Sequence, residues 1–293
     1  MSAAEIAVQV FRKLESEDFR VLNVIEAAMS KHEFVPEEVI ARFASFNPEE
    51  TAFRLKRLSK FRLIRRMRGR YLGYTLKYAG YDCLAINALV KGNVLEAFGK
   101  SLGVGKEADV YDALNPEGKR VAVKFQRLGR ISFRQTRRKR SYSTEKTGWL
   151  YQSKLATEKE FQALNLVFPH GVAVPQPISQ NRHVLVMGMI DGVELAECKE
   201  ISEPQKILND ILLNIRTTYL KAKIIHADLS EYNIILKSDK HILIIDWPQY
   251  VTTDHPNAER LLKRDVRNIL RFFTRKHLLK TKLKDSLAFV TGG

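Results

Sequence analysis

The sequence predicts an α+β protein of two domains, on three observations. Residues 1–90 carry helix-spaced apolar residues and end in a basic, glycine-turned pair of strands. Residues 91–293 alternate β-branched runs with helical patterns. In that second part, polar residues collect at the ends of apolar runs, above all in IIHADLSEYNIILKSDKHILIIDW, residues 224–247.

At 293 residues and 45% hydrophobic, the chain is long and apolar enough for two cores. Lysine and arginine outnumber the acids 49 to 33, a formal charge of +16. That excess points to a polyanionic partner, nucleic acid before a membrane surface. Cys83 and Cys198 have no metal-ligand spacing and read as buried free thiols of a reducing compartment. No run reaches the roughly 18 residues of a membrane span, and the acidic N-terminal stretch lacks the pattern of a signal peptide. The expectation is a cytoplasmic protein with no membrane partner, monomeric when free.

In the first domain, DFRVLNVIEAAMSKH places Phe19, Leu22, Ile25 and Met29 at helical spacing. VPEEVIARFASF starts a second helix at a proline. NPEETAFRLKRLSKF starts a third, with Asn47 as N-cap and Pro48 at its first position. LIRRMRGRYLGYTLKYAG then reads as two strands about Gly69. Three helices and a basic hairpin make a winged helix-turn-helix domain. Its candidate nucleic-acid residues are Arg54, Lys56, Arg57 and Lys60 on the third helix and Arg65, Arg66, Arg68 and Arg70 on the hairpin, interleaved with Tyr71 and Tyr74. A solvated basic face on a protein-docking module is the alternative.

The second domain opens with strand-like LGVGKEADVYDAL and KRVAVKFQRLG. A helix around KLATEKEFQALNLVF, the strand HVLVMGMI and a helix over about 203–222 follow. Gly103-Val104-Gly105-Lys106 lacks the Walker spacing, yet its glycines let backbone amides approach phosphate; an ordinary hairpin turn fits equally well. Lys124 lies in the apolar strand VAVKF, where a charge needs a partner or an anion. Glu160, 36 residues on and on a helix, offers that partner, with Glu158 as a rival on another face. A strand lysine held by a helix glutamate is the phosphate-gripping arrangement of kinases.

Asp228 and Asn233 stand five residues apart in the loop between apolar runs, and Asp246 ends the next run. Phosphoryl transfer needs positioning and charge cancellation. One acid orients or deprotonates the acceptor, and an amide with a second acid holds a divalent metal through oxygen. His226 reads as a packing and hydrogen-bonding residue.

The motifs GVGKEADVY, AVKFQRLG, HADLSEYNI and IIDWPQ, preceded by a winged helix, resemble the RIO atypical serine/threonine protein kinases, second subfamily, in a compact archaeal-like form. The resemblance implies a compact two-lobed kinase-like fold over residues 91–293, with an N-lobe over about 91–187, a hinge at 187–190 and a C-lobe from about 191. It implies ATP with magnesium, or manganese in its place, autophosphorylation, and a role in maturing the small ribosomal subunit, with its precursor rRNA and assembly proteins as partners. By position, Asp228 is the catalytic aspartate, Asn233 and Asp246 are the metal ligands, and Asp246 is also the site of an aspartyl-phosphate in ATP hydrolysis. Gly103, Val104, Gly105, Lys106, Glu107, Val110, Lys124, Glu160 and the hinge Met187, Gly188, Met189 and Ile190 form the ATP site. Two residues depart from the family pattern: Ala108 stands where serine is usual and Gly188 where glutamate is usual.

The 47 residues after Asp246 are too few for the activation segment and peptide-binding helices of an ordinary kinase. The segment from Arg127 to Lys146, with seven basic residues between Arg127 and Arg140, reads as a mobile RNA-contacting loop. Its Ser132, Ser141 and Ser143 are candidate autophosphorylation sites. Lys263, Arg264, Arg267, Arg271 and Arg275 of a C-terminal helix extend the basic footprint. The competing reading is a winged-helix DNA-binding regulator with a nucleotide-sensing kinase-like domain.

Overall fold

The computed structural model describes residues 1–69, 71–105, 107–128 and 148–293. Two compact units emerge: Met1–Leu155 with Gln180–Leu185, and Ala156–Ser179 with Val186–Gly293.

The first unit begins with α1 (Ala3–Phe11), α2 (Ser16–Ala28), β1 (Val35–Pro36), α3 (Glu37–Ala44) and α4 (Pro48–Lys60). The hairpin β2 (Ile64–Arg68) and β3 (Leu72–Leu76) follows, then α5 (Tyr78–Lys91). Asn47 caps α4 by accepting from the Glu50 amide at 2.8 Å, with Pro48 at the first helical position. The hairpin pairs Ile64 with Leu76 through Arg68 with Leu72, and β1 joins its β3 edge. The sequence reading did not assign two of these helices. Ser2 and Glu5 form a capping box at α1, a local signal that was there to be used. In α5, every residue from Ala79 to Ile86 is buried, so no amphipathic period marks it.

A second sheet is built from β4 (Ala97–Val104), β5 (Ala108–Leu114), β6 (Arg120–Gln126), β7 (Pro177–Asn181) and β8 (Val184–Gly188), in the order β4-β5-β6-β8-β7. Register breaks in β4 fall between Phe98 and Ser101 and between Ser101 and Gly103. Arg127, expected at the start of a mobile basic loop, is instead fully buried just past β6. Its guanidinium grips Asp82 of α5 through two bonds of 2.7 and 2.9 Å and donates from Nε to Asp109 of β5 at 2.9 Å. His183 Nε2 lies 2.6 Å from the same Asp82 carboxylate. Burial pushes the Asp82 carboxyl up, but Arg127 and His183 outweigh it and hold it below the usual range. Ser132, Ser141 and Ser143 lie outside the described residues, as do Arg70 and Lys106.

Helix α6 (Trp149–Val167) runs from the first unit into the second. Next come β9 (Val193–Glu194), α7 (Pro204–Thr217), a π-type turn over Thr218–Ala222, β10 (Ile224–Ile225), β11 (Ile234–Leu236), β12 (Ile242–Ile244) and β13 (Val251–Thr252). Helices α8 (Ala258–His277) and α9 (Leu283–Thr291) complete it. β11 lies between β12 and β9, and β10 pairs with β13. The core gathers Ile211, Ile234, Ile244, Trp247, Val266, Ile269 and Phe273, all buried. Cys83 is buried and Cys198 half-buried, and both are free. Among the described residues, no helix is long and apolar enough to cross a membrane.

Candidate active site

Asp228, Asn233 and Asp246 all fall in the second unit, and one residue between them draws them together. The Ile245 amide donates to Asn233 O at 3.0 Å, while His226 Nε2 contacts Ile245 O at 3.0 Å. The strand carrying Asp246 is thereby stapled to the loop carrying Asp228 through both backbone groups of its neighbour. Asn233 Nδ2 donates to Asp228 O at 2.8 Å, which turns the amide so that Oδ1 is its ligand end. His226 therefore plays the bonding and packing role, with its ring 4.5 Å from that of Trp247.

Asp246 is not the last residue of its strand. β12 ends at Ile244, and Asp246 sits in a left-handed turn with φ 68°. That turn sends Trp247, 1% exposed, into the core, where its Nε1 donates to Ile244 O at 3.1 Å. Ala227, beside Asp228, is left-handed as well, with φ 61°. Left-handed non-glycine residues cost free energy and persist only where their surroundings hold them.

Here the holding group is Asp265 of α8, which the sequence reading missed. Its carboxylate accepts from the Ala227 amide at 2.7 Å and the Leu229 amide at 3.3 Å, bracketing Asp228. From the same helix, Arg264 donates to Ala227 O and Asn268 Nδ2 to Leu229 O, the latter at 3.1 Å. Arg264, expected in a basic footprint, is thus committed to the loop. A signal was available: Asp265 shares its helix stripe with Leu262 and Ile269, and an acid on an apolar stripe needs a partner. Burial drives the Asp265 carboxyl up to about 7 against the opposing pull of the Ala227 amide and Arg264. Burial also raises Asp228, which Arg264 lowers and Asp246 raises further. An aspartate raised in this way is a better proton acceptor for a hydroxyl.

In the first unit, the strand register aligns the expected phosphate-binding residues. Gly103 pairs with Val110, and Val110 pairs with Lys124, so the three stand in line across β4, β5 and β6. Directly opposed residues project to one face. The Gly105 amide closes the β4–β5 turn onto Ala108 O at 2.8 Å, and Val104 is exposed at its tip. Lys124 is 7% exposed, and Glu160, on the part of α6 in the second unit, is 2% exposed. Charged side chains that buried require partners. In the segment expected to be the hinge, Met187 is buried and the Gly188 amide is used internally, donating to Gln176 O at 2.8 Å. Among the described residues, no three histidine, cysteine or acidic side chains cluster to hold a metal ion by themselves.

The expected nucleic-acid face needs revision. Arg54 is 8% exposed, with bonds of 2.6 Å to both Glu15 and Glu50. Arg57 pairs with Glu15 at 3.0 Å and Asp18 at 3.1 Å. The two arginines tie α4 to α2 instead of facing outward. Thr51, Arg54, Leu55 and Leu58 form the buried stripe of α4, a spacing that marks a core face. Lys56, Lys60, Arg65, Arg66 and Arg68 remain exposed.

Comparison with known proteins identifies the family. Residues 109–286 match the family profile described as "RIO domain", and residues 11–92 match "Rio2, N-terminal". The chain is 43% identical over 252 residues to the RIO-type serine/threonine-protein kinase Rio2 of Methanocaldococcus jannaschii, covering 84% of this chain and 92% of that one. It is 38% identical over 276 residues to the serine/threonine-protein kinase rio2 of Schizosaccharomyces pombe, covering 93% and 80%. The chain belongs to the RIO kinase family, in its Rio2 branch. As a Rio2-type chain it is a serine/threonine-protein kinase with a winged-helix N-terminal domain. The crystal structure of a Rio2 kinase–ADP/Mg2+–phosphoaspartate complex from Chaetomium thermophilum superposes with a TM-score of 0.83 at 33% identity, over 98% of this chain and 89% of that one. The RIO profile begins at Asp109, so the Gly103–Gly105 turn precedes the matched stretch.

Proposed function

We propose that this Rio2-type kinase binds ATP with magnesium, transfers the γ-phosphoryl group to its own Asp246 and to serine or threonine hydroxyls, and acts on the precursor of the small ribosomal subunit in the cytoplasm. The observation that carries the reading is the stapling of Asp228, Asn233 and Asp246 through Ile245.

Magnesium would supply charge neutralisation at the phosphates, and Asn233 Oδ1 with the Asp246 carboxylate would hold it. Lys124, on β6, grips the phosphates. Asp228 positions the acceptor hydroxyl and takes its proton, a task suited to its raised carboxyl. In the hydrolytic branch, an Asp246 oxygen forms the new bond to the γ-phosphorus, the bond to the β,γ-bridging oxygen breaks, and ADP leaves. Water then releases phosphate from the acyl phosphate. At the hinge, the commitment of the Gly188 amide to Gln176 passes adenine recognition to the remaining backbone groups of residues 187–190.

The +16 charge and the exposed wing arginines support rRNA and its assembly factors as partners. The profile matches at 11–92 and 109–286 support a functional division near residue 91. ATP turnover by wild type, Asp228→Ala and Asp246→Ala, with and without small subunits, tests the reading. Hydroxylamine-labile phosphate on the wild type that persists in Asp246→Ala would remove Asp246 from its role. Turnover and nucleotide release that ignore small subunits would remove the partner.

A further inference from the structure

The winged-helix part of the first unit contains a cavity of about 600 Å3 that the chemistry above does not use. It lies where the start of α1, the entry to β1, the α4–β2 turn, the β3–α5 junction and the first residue of α6 meet. Its cations are Arg62, Arg65 and Lys77, all exposed, against a single acid, Glu33. Its aromatic walls are Phe34, Tyr78 and Trp149. These walls are fixed in place. Phe34 O accepts from Tyr71 Oη at 3.0 Å, and the Arg65 guanidinium lies 4.8 Å over the Phe34 ring. Trp149 packs tilted on Tyr78 and edge-on to Tyr81.

The composition of this wall selects its ligand. A cationic ligand meets three like charges. An apolar ligand strips water from those cations without pairing them, and an inorganic anion leaves the aromatic walls wet. A phosphate carried on a flat ring satisfies both halves, and the volume falls in the range that holds a small organic ligand. A base within a duplex cannot offer its face, whereas one in a single strand can.

We propose that this cavity takes one unstacked nucleotide of single-stranded RNA, with its base against Trp149 and its phosphate on Arg62, Arg65 and Lys77. The proposal rests on the reading of rRNA as a partner. Glu33, the one carboxylate among the described lining residues, accepts from an exocyclic amino group and so favours cytosine over uracil.

The chain has two tryptophans, and Trp247 is buried in the other unit, so an emission change on adding RNA reports on Trp149. The test is titration of the full chain, saturated with ADP and magnesium, with hexacytidylate, hexauridylate and free cytidine monophosphate. Hexacytidylate quenches emission and binds more tightly than hexauridylate. Trp149→Ala weakens that binding about tenfold without changing its salt dependence. Trp149→Phe retains the binding, which separates loss of the ring from damage to the fold. Lys77→Ala lowers the salt slope by about one. Unchanged emission together with unchanged affinity in Trp149→Ala overturns the cavity assignment while leaving RNA binding in place. Equal affinity for the free monophosphate overturns RNA as the source of the nucleotide. No binding of RNA by the wild type overturns the partner reading on which the proposal rests.

Discussion

Replacing Asp265 tests whether α8 sets the catalytic loop. Asp265→Ala leaves the Ala227 and Leu229 amides without their acceptor. Each buried, unpaired amide costs about 1–3 kcal/mol. The same substitution removes a carboxyl that burial has driven up to about 7. Relative to an unfolded aspartate, that displacement is worth about 4 kcal/mol at high pH, opposite in sign to the amide loss. Net stability at neutral pH therefore changes by only about 2 kcal/mol, while the loop loses its anchor outright. With Ala227 free to leave its left-handed conformation, Asp228 loses its aim, and kcat falls on the order of a hundredfold with little change in KM for ATP. The pH dependence has a definite sign. The folded carboxyl holds its proton up to about pH 7, whereas the unfolded one releases it near 3.9. From about pH 4 to 7 the folded chain binds the extra proton, so Asp265 makes stability fall as pH rises, by at most about 1.4 kcal/mol per unit, and the fall levels off above 7. Urea unfolding across that window and steady-state ATP turnover measure both effects. A variant with kcat within threefold of wild type and an unaltered stability slope would refute this role of Asp265.

Other perturbations separate structural from catalytic charges. Arg127→Ala takes the guanidinium from buried Asp82 and Asp109, leaving His183 on Asp82, and should cost about 3–5 kcal/mol in urea unfolding. Arg54→Ala takes one of two guanidiniums from the fully buried Asp18, with Arg57 still 3.1 Å away, and lowers stability by about 1–2 kcal/mol, whereas Lys60→Ala leaves melting unchanged and reduces the salt dependence of RNA binding. Gly188→Ala should alter ATP affinity less than about threefold, since an added Cβ meets Gln176 no closer than 3.4 Å. Asn233→Ala should raise the magnesium concentration for half-maximal turnover about tenfold, read by titrating the metal at fixed ATP.

How legible each feature was follows from how local its cause is. Asn47-Pro48 announces α4 because capping and proline geometry act within one turn. That Asp228, Asn233 and Asp246 are drawn together was legible because the apolar runs around them marked where each would be held. The failures share the opposite property. Helix α5 is buried on all sides from Ala79 to Ile86, so that stretch has no solvent face to set a period. Asp265 acts on amides more than 35 residues away in the chain, and no local pattern encodes that reach. The left-handed turn at Asp246 depends on His226 taking the carbonyl of Ile245, again a nonlocal bond.

Arg127 shows why composition misleads at such places. Counted along the chain, it is the first of seven cations in a segment expected to bind a polyanion. In the fold it neutralises Asp82 and Asp109 and joins α5, the last helix of the winged-helix region, to the sheet that carries Lys124. A phosphate contact and a buried bidentate pair place contrary demands on one guanidinium, since the first requires exposure to the partner and the second exclusion of water. With no exposed surface, Arg127 meets only the second demand. The reading therefore separates by salt. Mutations at Lys56, Lys60 or the wing should change RNA affinity in a salt-dependent way. Loss of Arg127 should destabilise the first unit equally at low and high ionic strength, because a pair closed to solvent is closed to its ions as well.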